Sequence, residues 1–191
     1  MSRQNVITFL MLYVFLVSAA YGANFYVSKN GNDKSDGKDN GSAWQSIGKA
    51  NELLKAGDTV FIGEGEYNDP IKPTNSGSSG RYITYKAVSG EQPIITAPAG
   101  KIGIALDGKS YIKVDGLTFD GKKLYKSASI TSWVTVYNSH YNIIQNSTFK
   151  YAQGWAGVEI NNGSHHNKFL NNSFFSLGDL NTEDDKGDLF M

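Results

Sequence analysis

The chain has 191 residues, and its 18 Lys plus Arg balance 18 Asp plus Glu, so the formal net charge is zero. That balance excludes the basic surface a nucleic-acid binder needs. The absence of cysteine excludes disulfides, thiolate metal sites and cysteine nucleophiles, and 21 Gly with 11 Tyr but 4 Pro indicate a turn-rich β protein.

Residues 1–22 read as a secretory signal peptide. Arg3 gives a positive start, Val6 to Val17 is almost wholly apolar, and Ala20 and Gly22 suit the small-residue positions of a cleavage site. The apolar run falls short of the ~20 residues of a membrane span. The expected product is therefore secreted, extracellular or periplasmic, without a stable membrane span, with a single domain over residues 23–191.

In that domain, Phe25 to Ser28 predicts a short strand, and Lys29 to Gly41 a polar loop. Next comes an amphipathic helix from Ser42 to Ala56. Ser42 would cap it, with Gln45 as capping-box partner. Trp44, Ile47, Asn51 and Leu54 would share one face, widened by Ala50 and Leu53, and Gly57 would end it. After Asp58 the period becomes two. Thr59–Ile62, Tyr67, Tyr82–Lys86 and Ile94–Thr96 read as strands.

Repetition is the strongest signal. Val114-Asp-Gly-Leu-Thr-Phe119 matches Ile144-Gln-Asn-Ser-Thr-Phe149 and Phe169-Leu-Asn-Asn-Ser-Phe174, at spacings of 30 and then 25 residues. Each is preceded by another strand (Ile104–Leu106, Val134–Val136, Val158–Ile160) and a short polar turn. No such unit can bury its apolar side alone, so the units must stack. The prediction is an all-β parallel β-helix, a solenoid with an N-terminal capping α-helix over its first coil. Phe119, Phe149 and Phe174 should stack inside it, ~4.8 Å apart. Asn146 and Asn171 should form an inward amide ladder, with Gly116 replacing them in the earlier coil. His140 and His165, at matched turn positions, should stack rather than bind metal.

Phe25-Tyr-Val-Ser-Lys-Asn-Gly-Asn-Asp33, Trp44-Gln-Ser-Ile47, Ala56-Gly-Asp-Thr-Val-Phe-Ile62, Gly65-Glu-Tyr67, Ser79–Lys86 and Gly90–Ile94 together resemble the N-terminal region of right-handed parallel β-helix proteins of the pectate-lyase-like superfamily. The likeness is strongest to family-nine-type pectate lyases and related secreted proteins. It implies a longer stack of coils with a C-terminal cap. Gly187-Asp-Leu-Phe-Met191 reads as the first strand of a further coil, equivalent to Gly157–Ile160. The chain is thus expected to be an N-terminal portion, truncated at the C-terminus and inactive by itself.

Loop length varies at one place in the repeat, after Phe119, Phe149 and Phe174, and solenoid insertions of this kind line one face. Lys122, Lys123, Tyr125, Lys126, Lys150, Tyr151, Trp155 and Lys186 are the candidate substrate-binding residues. Cations and aromatic rings suit an acidic extracellular polysaccharide. The resemblance implies calcium-assisted β-elimination of a uronate polymer. Asp184, Asp185 and Asp188 are the candidate Ca²⁺ ligands, because Ca²⁺ takes several hard oxygens. The catalytic base is not identified from the sequence. The alternative is a non-catalytic carbohydrate-binding or adhesive surface module.

Overall fold

The computed structural model describes residues 22–96, 103–121, 132–151, 156–175 and 188–190. Apart from Gly22, the expected signal peptide lies outside them. Among these residues no helix is long and apolar enough to cross a membrane.

The strands stack into three parallel sheets. Sheet A holds β1 (Asn24–Val27), β2 (Thr59–Ile62), β4 (Ile83–Ala87), β7 (Ile112–Asp115), β10 (Ile143–Gln145) and β13 (Lys168–Leu170). Sheet B holds β3 (Gly65–Tyr67), β5 (Pro93–Ile95), β8 (Thr118–Asp120), β11 (Thr148–Lys150) and β14 (Ser173–Phe175). Sheet C holds β6 (Ile104–Ala105), β9 (Ser132–Tyr137), β12 (Ala156–Asn161) and β15 (Asp188–Phe190). The chain visits A, B and C in rotation, so each strand pairs with the equivalent strand one coil away. This is the predicted parallel β-helix, with one short helix, α1 (Ile47–Leu53).

Register puts like on like. In sheet B, Phe119, Phe149 and Phe174 pair directly, and their rings stack at 4.7 and 4.9 Å. In sheet A, Val60, Tyr85, Val114, Ile144 and Phe169 share one inward row. In sheet C, Ile104, Val134 and Val158 do the same. Short strands suffice because each apolar residue is covered from above and below.

The helix is shorter than predicted and starts later. Ser46, not Ser42, caps α1 by accepting from the Lys49 amide, while Ser42 ends a 3₁₀ turn capped by Asp39. Asp33 accounts for the difference. Its carboxylate accepts from the Gln45 and Ser46 amides and from the Ser46 hydroxyl, which holds this stretch extended. Partial burial raises the Asp33 pKa, but the bonds from Ser46 and Gln45 win and hold it below the ordinary value.

Trp44 therefore precedes the helix. It bridges Val27 in parallel and exchanges backbone bonds with Tyr26 and Ser28, so it pairs the outer edge of β1, which would otherwise invite another chain. Its ring stacks on Phe25 at 4.7 Å. Ile47, Ala50 and Leu54 are buried, whereas Leu53 is exposed. Asn51 ties α1 to the coils by bonding the Pro70 carbonyl, the Lys72 amide and the buried Tyr85 hydroxyl.

The amide ladder exists, but not at the predicted positions. Asn146 and Asn171 are exposed and left-handed, with φ of 52° and 53°. Asn146 bonds outward to Asp115. Gly116 has φ 77° at the same place, so the first position of this two-residue A–B turn selects residues that tolerate positive φ. The inward ladder runs through Asn142 and Asn167. The Asn142 side-chain oxygen accepts from the Ile112 amide at 2.9 Å, and its own backbone and side-chain N–H groups donate to Asn167 at 3.0 Å. Ser147 and Asn172 form a second such column.

The last strand also differs in register. Asp188 lies opposite Ala156 and Phe190 opposite Val158, two residues from the alignment of Gly187 with Gly157.

Phe149→Ala should cost about 3–5 kcal/mol, because both neighbouring rings lose their partner, and Phe149→Leu clearly less; urea unfolding midpoints check this. Asn171→Ala should cost about 1 kcal/mol and Asn171→Gly almost nothing, a difference that identifies the turn by its backbone rather than by a side-chain ladder.

Candidate functional site

Two of the three corners of the coil are constrained. The A–B corner is a tight turn at Gly116, Asn146 and Asn171. The C–A corner is built from repeated left-handed residues, Tyr111, Tyr141 and His166, with φ of 59°, 59° and 56°. The B–C corner varies most: it spans residues 121–131, 151–155 and 176–187 between the flanking strands, whereas the A–B corner lengthens once, over 88–92, and the C–A corner changes by a single residue. All three segments feed into sheet C, so the ends of sheet B and the face of sheet C form the surface on which the chain elaborates.

Most predicted site residues lie in those segments. Lys122, Lys123, Tyr125, Lys126, Trp155, Asp184, Asp185 and Lys186 are outside the described residues. Asp188 opens β15, with its backbone opposite Ala156. The structure does bring Lys150 and Tyr151 together at the end of sheet B. Lys150 closes β11 and pairs with Asp120 at 3.0 Å, its side chain about one-third exposed. Tyr151 follows in the left-handed region, φ 58°, and donates its amide to the Phe175 carbonyl at 3.1 Å. The Tyr151 carbonyl comes so close to Gly121 that a Cβ there would meet it at 2.2 Å, so this corner requires glycine.

Asp120, Lys150 and Phe175 are in register at the end of sheet B. Sequence reasoning missed Phe175, which it assigned to the loop. Phe175 closes β14 and is 56% exposed. A signal was available: in Thr-Phe-Asp, Thr-Phe-Lys and Ser-Phe-Phe the third position faces out, and only the last fills it with an aromatic ring.

Sheet C adds a polar group that the sequence did not single out. Glu159 lies beside Thr135 in register, accepts from the Ser132 hydroxyl at 3.3 Å, and accepts from the Tyr137 hydroxyl. Desolvation, the bond to Glu159, and the charges of Glu159 and Asp107 push the Tyr137 phenol up to about 12. On the same strand, the Trp133 indole N–H and the Thr135 hydroxyl are buried without a hydrogen-bond partner. Among the described residues no three metal-ligating side chains converge. An indole N–H repels a cation, and Glu159 is already shared by two donors, so the described part of this face does not fit calcium, which takes 6–8 oxygens.

Comparison with known proteins gives the same architecture. A family model described as "Pel9A-like, right handed beta helix region" matches residues 25–190. The protein YwoF of Bacillus subtilis (strain 168), described as uncharacterized, is 28% identical over 133 residues, which cover 65% of this chain and 28% of YwoF. A solved rhamnogalacturonan lyase superposes with a TM-score of 0.55 at 17% identity, over 76% of this chain and 43% of that one. The chain thus spans less than half the length of either relative, and the likeness to the lyase shows the fold.

The Tyr137 ring carbon should titrate near 12 by NMR, and Glu159→Gln should lower that midpoint by removing a bonded charge. A phenol raised above its unfolded value near 10 stabilises the fold at lower pH, and that contribution is lost as pH rises through the folded value. Stability should therefore fall on the alkaline side, and less steeply in Tyr137→Phe.

Proposed function

The chain belongs to the Pel9A-like right-handed β-helix family, and from that premise we propose that it binds an extracellular acidic polysaccharide along the B–C corner and the face of sheet C, as the N-terminal part of a uronate-polymer lyase. The observation that carries this reading is the in-register row of Asp120, Lys150 and Phe175, at the corner where chain length varies most. The Lys150 ammonium can exchange Asp120 for a uronate carboxylate, since partly exposed ion pairs are weak. The Phe175 ring offers an apolar face to a sugar ring. Tyr151 follows Lys150, and the segments that join sheet B to sheet C carry Lys122, Lys123, Tyr125, Lys126, Trp155 and Lys186 in sequence. The name of the rhamnogalacturonan lyase, a polysaccharide-cleaving enzyme, supports the substrate class.

In the lyase reading the chemistry is β-elimination. A base removes the proton on the carbon next to the uronate carboxylate, the glycosidic C–O bond breaks, and an unsaturated sugar remains. In this reading Asp184, Asp185 and Asp188 would hold calcium, which would supply neutralisation of that carboxylate. Secretion through the N-terminal 22 residues brings the protein to such a polymer.

Binding is measured first, by calorimetry against pectate, alginate and a neutral glucan. The chain should bind uronate polymers and not the neutral one, and Lys150→Met should weaken binding about fivefold. Ultraviolet absorbance of the unsaturated product, with Ca²⁺ and then with EDTA, separates the two readings. Calcium-dependent product identifies a lyase. Binding without product identifies a non-catalytic carbohydrate-binding or adhesive module. No affinity for any uronate polymer overturns both.

A further inference from the structure

All three histidines of the chain, His140, His165 and His166, meet at the C–A corner, away from the B–C rim. His165 bridges His140 in parallel, and its ring lies over the His140 ring at 3.9 Å and 12°. His166 takes the left-handed position, φ 56°, that Tyr141 and Tyr111 occupy one and two coils earlier. Its ring lies over Tyr141 at 4.8 Å, and Tyr141 lies over Tyr111 at 5.2 Å. Each imidazole is thus held by a ring of the coil before it, while both residues stay exposed.

The two rings stand at 84° to one another, and their Nδ1 atoms are 2.8 Å apart. In the free pair one Nδ1–H donates and the other Nδ1 accepts. A metal ~2.0 Å from each of two nitrogens holds them ~2.8 Å apart at a right angle, against ~3.3 Å at a tetrahedral one. The observed separation is that of a hydrogen bond between the rings, and it also matches two cis positions of a square plane.

We propose that His165 and His166 chelate one square-planar divalent cation of the Cu²⁺ or Ni²⁺ type through their Nδ1 atoms. Imidazole nitrogens suit these ions and not Ca²⁺. The change on binding is a tautomer shift: the shared proton moves to Nε2 of the ring that donated it, and both Nδ1 lone pairs face the metal. Stacking on His140 and Tyr141 orders the rings beforehand, which lowers the entropic cost of closing the chelate. His140 acts as a positioning residue. This site is independent of the polysaccharide reading.

The test uses the full chain without a histidine tag, titrated with CuCl₂ by calorimetry and followed by electron paramagnetic resonance. One Cu²⁺ per chain is expected, with splitting from two imidazole nitrogens. His165→Ser and His166→Tyr place at each position the residue found there in earlier coils, Ser110 in one case and Tyr111 and Tyr141 in the other, so the fold tolerates both. Each should weaken Cu²⁺ binding about tenfold or more, and His140→Ser should weaken it less while keeping the two-nitrogen spectrum. Unchanged affinity in either ligand variant, or a Cu²⁺ spectrum without two imidazole nitrogens, overturns the proposal.

Discussion

Everything in this chain depends on the inter-strand spacing of a parallel sheet repeated along one axis. Once a residue pairs with its equivalent one coil away, their side chains sit about 4.8 Å apart whatever they are. That distance suits stacked aromatic rings, and the sheet B column of Phe119, Phe149 and Phe174 meets it at 4.7 and 4.9 Å. It also suits a side-chain amide that copies the peptide ladder, which is why Asn142 and Asn167 can hand hydrogen bonds from coil to coil. Strands of three residues could not persist as isolated hairpins. Here each interior strand is covered on two sides.

The first coil lacks a neighbour on one side, and the chain supplies one locally. Trp44 pairs the edge of β1 while its ring covers Phe25, and α1 buries Ile47, Ala50 and Leu54 on the same end. Asp33 links the two by holding Gln45 and Ser46 extended and then releasing the chain into the helix at Ile47. Edge pairing and end covering are therefore separate tasks, done by consecutive segments.

Much of the fold was legible because stacking leaves a mark on sequence: equivalent positions must match in character, so the Val/Ile-x-x-x-Thr/Ser-Phe pattern returns at the coil length. What the pattern does not encode is which turn residue points inward. Asn146 recurs with Asn171 and looks like a ladder residue, yet its recurrence reports positive φ, which asparagine and glycine tolerate. Asn142 and Asn167 recur equally but stand outside the matched hexapeptide. The helix start was misplaced because a long-range carboxylate, Asp33, outcompeted a plausible local cap at Ser42. Of the candidate site, Lys150 and Tyr151 were found through loop variation. Phe175 and Glu159 were not, since one was read as loop and the other as an ordinary outward strand residue.

The corners explain where function can reside. At the C–A corner, whose length changes by a single residue, pairing resumes at His140 and His165, and side chains arrive already ordered. His165 and His166 inherit their places from Ser110, Tyr111, His140 and Tyr141, and their mutual geometry follows from the stack beneath them. At the B–C corner, length varies from coil to coil, so register is lost and regained at each strand of sheet C. Such a corner cannot deliver an ordered pair by repetition. It can present different side chains at each level along the axis, beside a row that register does hold, Asp120, Lys150 and Phe175. An extended polymer lying along that axis meets successive coils with successive residues, whereas a single small ion meets one coil's paired donors. On the two proposals, one solenoid would carry two kinds of site, at corners that differ in how much their length varies.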